Sequence, residues 1–251
     1  MKTHELILEV TRKCNMSCAH CLRGPAQNMD MTEDIMRKTF EIFDEIGSLV
    51  FSGGEPSLNI PLLQKTVDYI INHNIFIEDF FVATNGKENI DELLQVLDRL
   101  YVHTQSCWVK TGEAKHEYKK TVIRLIDSYF SENIGGLALS SDPYHGPIPI
   151  ENVIKLTSRR YFTNVKVQDF ESDYSIICRG NAVYLPAGLT RPAITRSFET
   201  NDESFEQIYI SAEGLILPDS DLDYANQQYN SCGSVFDKDI KDTLQELIKG
   251  K

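Results

Sequence analysis

The sequence lacks several features that would assign it to a membrane or secreted class. It has no apolar run that approaches the roughly 18 residues of a membrane span, and its first ten residues, MKTHELILEV, lack the apolar segment of a signal peptide. It also has no internal repeat, low-complexity tract or flexible linker. We therefore expect a cytoplasmic protein with no membrane partner, whose cysteines are kept reduced and serve as metal ligands or catalytic groups.

Basic residues are scarce as well. Lys and Arg number 25 against 37 Asp and Glu, which gives a formal net charge of −12 and a pI of about 5.0. Because phosphate contacts need clustered Lys and Arg, this balance disfavours an extended nucleic-acid surface and leaves room only for a local basic pocket. With 41% hydrophobic residues over 251 positions, the chain can bury a substantial core.

Short apolar strands alternate with helical patterns along the first part of the chain. This alternation predicts parallel strands joined by crossover helices, and hence an α/β fold. Thr32 is the expected N-cap and Gly47 the expected end of the first helix, while residues 101–115 fit no pattern and are interpreted as an inserted loop. The predicted strands are 5–10, 48–54, 77–86, 136–142 and 164–170, and the predicted helices are 32–47, 60–74, 89–100, 116–132 and 149–162.

The pattern changes from about residue 171. Residues 205–218 predict a β-hairpin that turns at Glu213-Gly214, and residues 239–250 predict a terminal helix. We therefore divide the chain into an α/β domain, 1–185, and a smaller C-terminal region, 186–251.

Three of the six cysteines, Cys14, Cys18 and Cys21, stand together directly after the first predicted strand. Parallel α/β folds place ligand sites at this end of their strands, and thiolates are soft ligands suited to zinc or iron–sulfur clusters. A structural zinc site normally has four protein ligands, but no fourth Cys or His follows at a zinc-finger offset. Three thiolates on a four-iron cluster would leave one iron open to an external molecule. The polar flanking sequence disfavours three buried apolar thiols.

The CxxxCxxC spacing after a first strand resembles the signature of the radical S-adenosylmethionine (SAM) superfamily. In that family three cysteines hold a [4Fe–4S] cluster, and SAM chelates the fourth iron through its amino and carboxylate groups. Reduction then cleaves SAM to a 5′-deoxyadenosyl radical, which abstracts hydrogen from a substrate. The resemblance implies a partial (β/α)6 TIM-like barrel with a small C-terminal β-hairpin and helix, one cluster on Cys14, Cys18 and Cys21, and His20 near the adenine.

Three further motifs, SGGEP, ATNG and LSSDPYHG, each follow a predicted strand. Taken alone, such motifs are ordinary turns, but after the cysteine motif they resemble the GGEP, T-N-G and S-x-D stretches of the same family. The resemblance assigns Gly53, Gly54 and Glu55 to the SAM ammonium group, Thr84 and Asn85 to the SAM pocket, and Ser140 and Asp142 to the ribose.

Other polar residues have two or more readings. Arg179, in CRGNAV, resembles part of a loop found in peptide-modifying radical enzymes and could bind the SAM carboxylate, or it is a surface arginine. His145 is a proton donor, a substrate contact or a loop histidine. The basic residues flanking the cysteines either balance the cluster charge or are solvated; they are Arg12, Lys13 and Arg23.

The C-terminal hairpin resembles the SPASM or twitch region of peptide-modifying radical SAM enzymes. Asp219 stands where the first auxiliary-cluster cysteine of that region would lie. Cys107, Cys178 and Cys232 are scattered along the chain, so we expect a single cluster and no auxiliary one.

The predicted function is radical SAM chemistry on a peptide or protein, with a reducing partner such as flavodoxin or ferredoxin. A small-molecule or nucleotide substrate is the first alternative. A non-catalytic zinc or iron–sulfur binding module is the second, and it predicts a closed coordination sphere and no SAM binding.

Overall fold

The computed structural model describes residues 1–110, 136–141, 144–166, 176–194, 196–201 and 203–250. Its strands are β1 (Lys2–Thr11), β2 (Glu45–Gly53), β3 (Phe76–Thr84), β4 (Gly136–Ser140), β5 (Phe162–Lys166), β6 (Ile176–Ile177), β7 (Thr190–Arg191), β8 (Ser204–Ile210), β9 (Leu215–Leu217) and β10 (Gly233–Ser234). Its helices are α1 (Glu33–Ile42), α2 (Ile60–His73), α3 (Ile90–Lys110), α4 (Ile150–Thr157), α5 (Tyr224–Asn230) and α6 (Ile240–Lys249).

Within the described residues, eight strands form one open sheet in the order β10-β9-β8-β1-β2-β3-β4-β5. The six strands from β8 to β5 are parallel to their neighbours, and β9 and β10 are added antiparallel at one edge. The predicted α/β class with parallel strands is confirmed. The sixth parallel strand is β8, from the predicted C-terminal region, so the hairpin extends the main sheet; the boundary at 185/186 stays a prediction.

Strand β1 lies at the centre of this arrangement. It pairs with β2 from Lys2 opposite Glu45 onward, and with β8 from Lys2 opposite Ser204 onward. Its apolar residues Leu6 and Leu8 are fully buried, as expected for a parallel strand that is covered on both faces. The loop that follows β1 is therefore anchored on a strand with neighbours on both sides.

Helix α2 shows how the sequence fixes one side of the future site. Asn59 caps its N-terminus by accepting a hydrogen bond from the amide of Leu62, and Asn74 ends it with a left-handed backbone (φ 51°). The Asn59 side chain also donates to the carbonyl of Val10 at 2.8 Å. The start of α2 is thus tied to β1 just before the cysteines.

The first helix is shorter than predicted. Thr32 caps α1 as expected, with its hydroxyl accepting from the amide of Ile35, but the helix ends at Ile42 instead of Gly47. Residues from Glu45 onward already belong to β2, so the expectation that Gly47 ends the helix is wrong. Gly47 is needed for close packing, because a Cβ there would lie 2.5 Å from the carbonyl oxygen of His4.

The predicted inserted loop at 101–115 is also wrong as far as residue 110. Helix α3 continues to Lys110. Its side chains at 103 and 107 are buried against the preceding part of the chain. His103 is 6% exposed, with Nε2 lying 2.8 Å from the carbonyl oxygen of Ile75, and Cys107 packs beside it. A buried histidine and cysteine in place of aliphatic residues obscured the helical period.

The other predicted elements are present with altered ends, and the predicted turn at Glu213-Gly214 is confirmed, with Gly214 at φ +84°. Helix 116–132 and residues 167–170 of the last predicted strand lie outside the described residues. Strand β10 and helix α5 were not predicted. No described helix combines the length and apolarity needed to cross a bilayer.

Candidate cofactor site

The carboxyl ends of the parallel strands meet around a cavity of about 400 Å³. Ligand sites of parallel α/β sheets lie at this edge because the loops after each strand converge there. The structure brings ten of the twelve residues assigned to cofactors into its lining: Cys14, Cys18, His20, Cys21, Gly53, Gly54, Glu55, Thr84, Asn85 and Ser140. Arg179 is not in this lining, and Asp142 lies outside the described residues.

The three cysteines occupy a short loop after β1. All six cysteines of the chain are described and none forms a disulfide. Cys14, Cys18 and Cys21 are each partly buried, and the amide of Cys21 donates to the carbonyl of Cys18 at 3.2 Å. Burial raises the pKa of the Cys14 thiol, and the nearby Glu55 and Cys21 raise it further.

The donor set is of the type that binds an iron–sulfur cluster. Among the described residues, no three Cys, His, Asp or Glu side chains converge closely enough to hold one metal ion. Three thiols around one cavity match a cluster, in which each thiolate binds a different iron atom and the ligands stand farther apart. The residues present therefore fit the implied group.

The Gly-Gly-Glu turn packs directly against the residues that precede the cysteines. The amide of Gly54 donates to the carbonyl of Thr11 at 2.8 Å, and the amide of Glu55 donates to the carbonyl of Lys13 at 2.9 Å. Gly53 has φ +137°, and a Cβ there would lie 2.1 Å from the Thr11 oxygen. Both glycines are thus required by close backbone approach, and the turn fixes where the cysteine loop begins.

The Glu55 carboxylate is buried and occupied by the chain itself. Its oxygens accept hydrogen bonds from the hydroxyl of Thr84 at 2.7 Å, the amide of Asn85 at 2.8 Å and the amide of Ser57 at 3.2 Å. Burial raises the pKa of Glu55, and these donors act in the opposite direction. Glu55 therefore joins the GGEP turn to the T-N-G turn while it also lines the cavity.

An aromatic face lies on another side of the cavity. The His20 ring is 4.6 Å from the Tyr144 ring and 5.1 Å from the His145 ring, measured between centroids. The carbonyl of His145 accepts a hydrogen bond from Lys87 Nζ at 2.6 Å. Sequence reasoning singled out both histidines but missed Tyr144, although it stands within the same LSSDPYHG motif.

Residues 179–181, here called the RGN segment, contact the cysteine loop and are not part of the cavity lining. The Asn181 amide donates to the carbonyl of Cys21 at 2.9 Å, and its side chain donates to the carbonyl of Cys18 at 3.0 Å. Gly180 has φ +55°, and a Cβ there would lie 2.4 Å from the amide nitrogen of Gly24. The Arg179 guanidinium donates to the carbonyl of Asp221. In this arrangement the segment shapes the loop, and the guanidinium of Arg179 is directed to protein backbone.

Two of the three flanking basic residues are buried, which answers the question of solvation for them. Arg12 is 3% exposed and Arg23 is 8% exposed, whereas Lys13 pairs with Asp30 on the partly exposed side of the loop. The buried partner of Arg12 is Glu9, and the partly exposed Glu213 is a second one. Sequence reasoning missed Glu9, although a glutamate within an apolar strand, three residues before an arginine, was a usable signal.

The remaining cysteines and Asp219 lie in separate surroundings. Cys107 packs on α3 beside His103, the Cys178 amide donates to Arg191, and the Cys232 amide donates to Ile216. Burial raises the pKa of the Cys232 thiol to about 11. Asp219 is buried and accepts hydrogen bonds from the amides of Arg196 and Asp221. The Asp219 carboxylate thus organises a turn.

A parallel sheet that presents three thiols and a Gly-Gly-Glu turn to one cavity is the arrangement of a cysteine-ligated cofactor domain. Residues 8–132, about half of the chain, match the family model described as the radical SAM superfamily. The chain belongs to the radical SAM superfamily, a family that implies SAM and an iron–sulfur cluster.

Individual relatives cover the chain to different extents. Over 103 residues the chain is 33% identical to the uncharacterized protein MJ0907 of Methanocaldococcus jannaschii, covering 37% of this chain and 35% of that protein. Two solved structures match nearly the whole chain at a TM-score of 0.47: SuiB of Streptococcus suis bound to precursor peptide SuiA (15% identity, 98% of this chain, 66% of SuiB) and anSMEcpe with bound AdoMet (12% identity, 99% of this chain, 78% of anSMEcpe). The chain thus spans about a third of MJ0907 and slightly under two thirds of SuiB.

Proposed function

We propose that this protein is a cytoplasmic radical SAM enzyme that cleaves SAM reductively and abstracts a hydrogen atom from a peptide or protein substrate. One observation carries the proposal. The three cysteines line the same cavity as the Gly-Gly-Glu turn, and that turn is hydrogen-bonded to the residues directly before Cys14.

Each part of the cavity then has a task. Cys14, Cys18 and Cys21 would hold a [4Fe–4S] cluster, which supplies the electron for SAM cleavage when it is bound. The backbone of the Gly53–Glu55 turn would receive the SAM ammonium group, while Glu55 holds that turn against Thr84 and Asn85. The His20 ring, which lines the cavity and packs against Tyr144, is the proposed contact for the adenine. Ser140 and Asp142 stay the proposed ribose contacts.

The same cavity extends beyond the cysteine loop. Its lining includes the apolar side chains of Ile7, Val50 and Phe81 and the polar pair Glu5 and Gln207, in which Gln207 donates to Glu5. This mixed lining provides space for a substrate group next to SAM. The peptide class rests on the likeness of the RGNA loop and the C-terminal hairpin to peptide-modifying enzymes.

The decisive experiment is anaerobic reconstitution with iron and sulfide, followed by reduction in the presence of SAM. We expect a brown protein with about four irons per chain, an EPR signal that changes when SAM is added, and formation of 5′-deoxyadenosine. Replacing Cys14, Cys18 or Cys21 by Ala should abolish the cluster and 5′-deoxyadenosine formation. Cys232→Ala, which removes a cysteine outside the cavity, is the matched control and should retain both.

A stoichiometric zinc ion without SAM cleavage would contradict the proposal and support a metal-binding module. The substrate class is tested separately by mass spectrometry after incubation with short peptides encoded beside the gene. A mass change in a peptide supports the peptide class. Turnover confined to small molecules or nucleotides refutes that part alone. The reducing partner is tested by using flavodoxin or ferredoxin as the reductant in place of a chemical reductant such as dithionite.

A further inference from the structure

Both ends of the cysteine loop are attached to the C-terminal part of the chain through buried arginines. Arg12 stands two residues before Cys14, and Arg23 stands two residues after Cys21. The Nη2 atom of Arg12 donates to Gln227 at 2.5 Å and to Glu213 at 2.9 Å. These partners lie more than 200 positions away in sequence, on helix α5 and in the β8–β9 turn.

Glu9 stands at the centre of these contacts. Its Oε2 accepts from Arg12 Nε at 3.0 Å and from the amide of Ala212 at 2.8 Å. Its Oε1 accepts from the hydroxyl of Tyr209 at 2.8 Å and from the side chain of Gln227 at 3.1 Å. Glu9, Tyr209 and Gln227 are fully buried, so a single carboxylate unites β1, β8, the hairpin turn and α5.

The other end of the loop reaches the same group of residues. The guanidinium carbon of Arg23 lies 4.7 Å from the centroid of the Tyr209 ring, and its Nη1 donates to the carbonyl of Leu222 at 2.7 Å. The carbonyl of Arg23 in turn accepts from the amide of Tyr224 at 3.1 Å. Tyr209 therefore contacts Glu9 through its hydroxyl and Arg23 through its ring face.

This network does more than add general stability, because its two cations flank the cysteine loop. Arg12 stands at the start of the loop and Arg23 at its end. A shift of either arginine displaces the backbone beside Cys14 or Cys21. Buried ion pairs tolerate little displacement, since a separated charge loses its compensation in a poorly solvating interior. The C-terminal segment thus controls the geometry of the thiols without contributing a thiol of its own.

We propose that Glu9 is a positioning residue through which the C-terminal segment 204–230 sets the geometry of the cysteine loop. Its effect on a bound cluster rests on the proposed function, whereas its effect on the three thiols does not. The hairpin and α5 thereby act on the cofactor loop in a region that has Asp219 in place of an auxiliary-cluster cysteine.

The test uses two tyrosine variants that each remove one hydroxyl donated to a carboxylate, a buried bond at Tyr209 and a partly buried one at Tyr161. Tyr209→Phe removes the bond to Glu9, and Tyr161→Phe, the matched control, removes the 2.7 Å bond from Tyr161 to Asp98, two groups outside the cavity lining. Alkylation of each thiol in the metal-free full-length chain is followed by mass spectrometry. Tyr209→Phe should speed modification of Cys14, Cys18 and Cys21 by about 5- to 10-fold, the factor that one lost buried hydrogen bond represents. Cys107, on α3, is the internal reference and should keep its rate.

The reconstituted protein gives the second readout. Tyr209→Phe and Glu9→Gln should change the EPR line shape of the reduced cluster and raise by about 5- to 10-fold the SAM concentration needed for the spectral change. Tyr161→Phe should alter neither. Unchanged thiol rates and unchanged EPR in Tyr209→Phe, with the same loss of melting temperature as Tyr161→Phe, would reduce Glu9 to a structural role. If the parent protein binds no cluster but its thiol rates respond as stated, the proposed function fails and the positioning role stands.

Discussion

Glu9 and Glu55 are two buried carboxylates on either side of the cysteine loop, and they are held in opposite ways. Glu55 accepts only from neutral donors, and these come from its own turn and from the end of the neighbouring strand β3. Glu9 pairs with Arg12 and accepts from groups about 200 positions away. The two carboxylates therefore have different structural roles. Glu55 shapes a local turn within the cavity, while Glu9 joins the two ends of the chain.

The electrostatic consequences differ accordingly. Without a cation beside it, Glu55 has a pKa raised by burial. Glu9 instead has Arg12 against it, and Glu9 in turn favours the charged form of both arginines, acting against the desolvation that would lower the pKa of Arg12 and of Arg23. Removing the charge at Glu9 therefore leaves Arg12 paired with the partly exposed Glu213 alone among the described residues, whereas removing it at Glu55 leaves neutral donors.

The largest effect is expected for Glu9→Gln. Breaking a buried ion pair by neutralising one partner costs about 3–5 kcal/mol, and the partly exposed Glu213 is then the counter-charge that Arg12 keeps among the described residues. Urea unfolding of the metal-free protein measures the loss. Tyr209→Phe keeps the charge and should cost only about 1 kcal/mol. Equal losses for Glu9→Gln and Glu55→Gln would remove the distinction between the two carboxylates.

A smaller and pH-dependent effect is expected for Glu55→Gln. In the variant, the NH2 group of the glutamine side chain faces one of the three groups that donate to Glu55 in the parent. We expect this to lower the free energy of unfolding by about 1–3 kcal/mol near pH 4. Because the folded pKa of Glu55 lies above its ordinary value of 4.5, the folded parent holds a proton that the unfolded chain loses as pH rises above 4.5. The parent is therefore destabilised as pH increases through this window, and its advantage over the variant shrinks.

The pH dependence of this stability difference is measured by urea unfolding from pH 4 upward. The parent and Glu55→Gln are compared, and Glu92→Gln, at an exposed site, is the control. A difference that widens with pH would show that Glu55 is stabilised as the anion, as expected of a cation-paired carboxylate.

An effect on packing is expected at the contact between residues 179–181 and the cysteine loop. Gly180→Ala places a side chain at φ +55° and 2.4 Å from the amide nitrogen of Gly24, and should cost at least about 1–2 kcal/mol for the left-handed backbone alone. Gly188→Ala is the control, since a Cβ there meets nothing within 4 Å. Thermal unfolding compares the two. Equal melting temperatures would mean that segment 179–181 does not bear on the cysteine loop.

Much of the site followed from local sequence. The cysteine motif stands at the end of β1, the Gly-Gly-Glu turn at the end of β2 and the T-N-G turn at the end of β3. Parallel strands bring their carboxyl ends to one edge of the sheet. This is why ten assigned residues line one cavity. Arg179 was different, since the direction of its guanidinium depends on Asp221, 42 positions away.

The errors in the fold share a cause. Glycine commonly ends helices, which is why the local pattern predicts a helix end at Gly47, but this position is set by the close approach of His4 from β1. The pattern of residues 101–110 predicts a loop, although His103 and Cys107 are buried on a helix. In both cases a contact with a distant segment outweighed local preference.

By itself the sequence determined the α/β class, the order of the cofactor motifs along the chain and the three thiols after the first strand. These depend on strand period, turn chemistry and residue spacing, all of which act over a few neighbouring positions. Only the tertiary structure decided that β8 pairs with β1, that Glu9 collects its partners from the C-terminal segment, and that Glu55 faces the protein with both oxygens. Such contacts join residues far apart in the chain, and burial gives them their energy, so no local pattern records them.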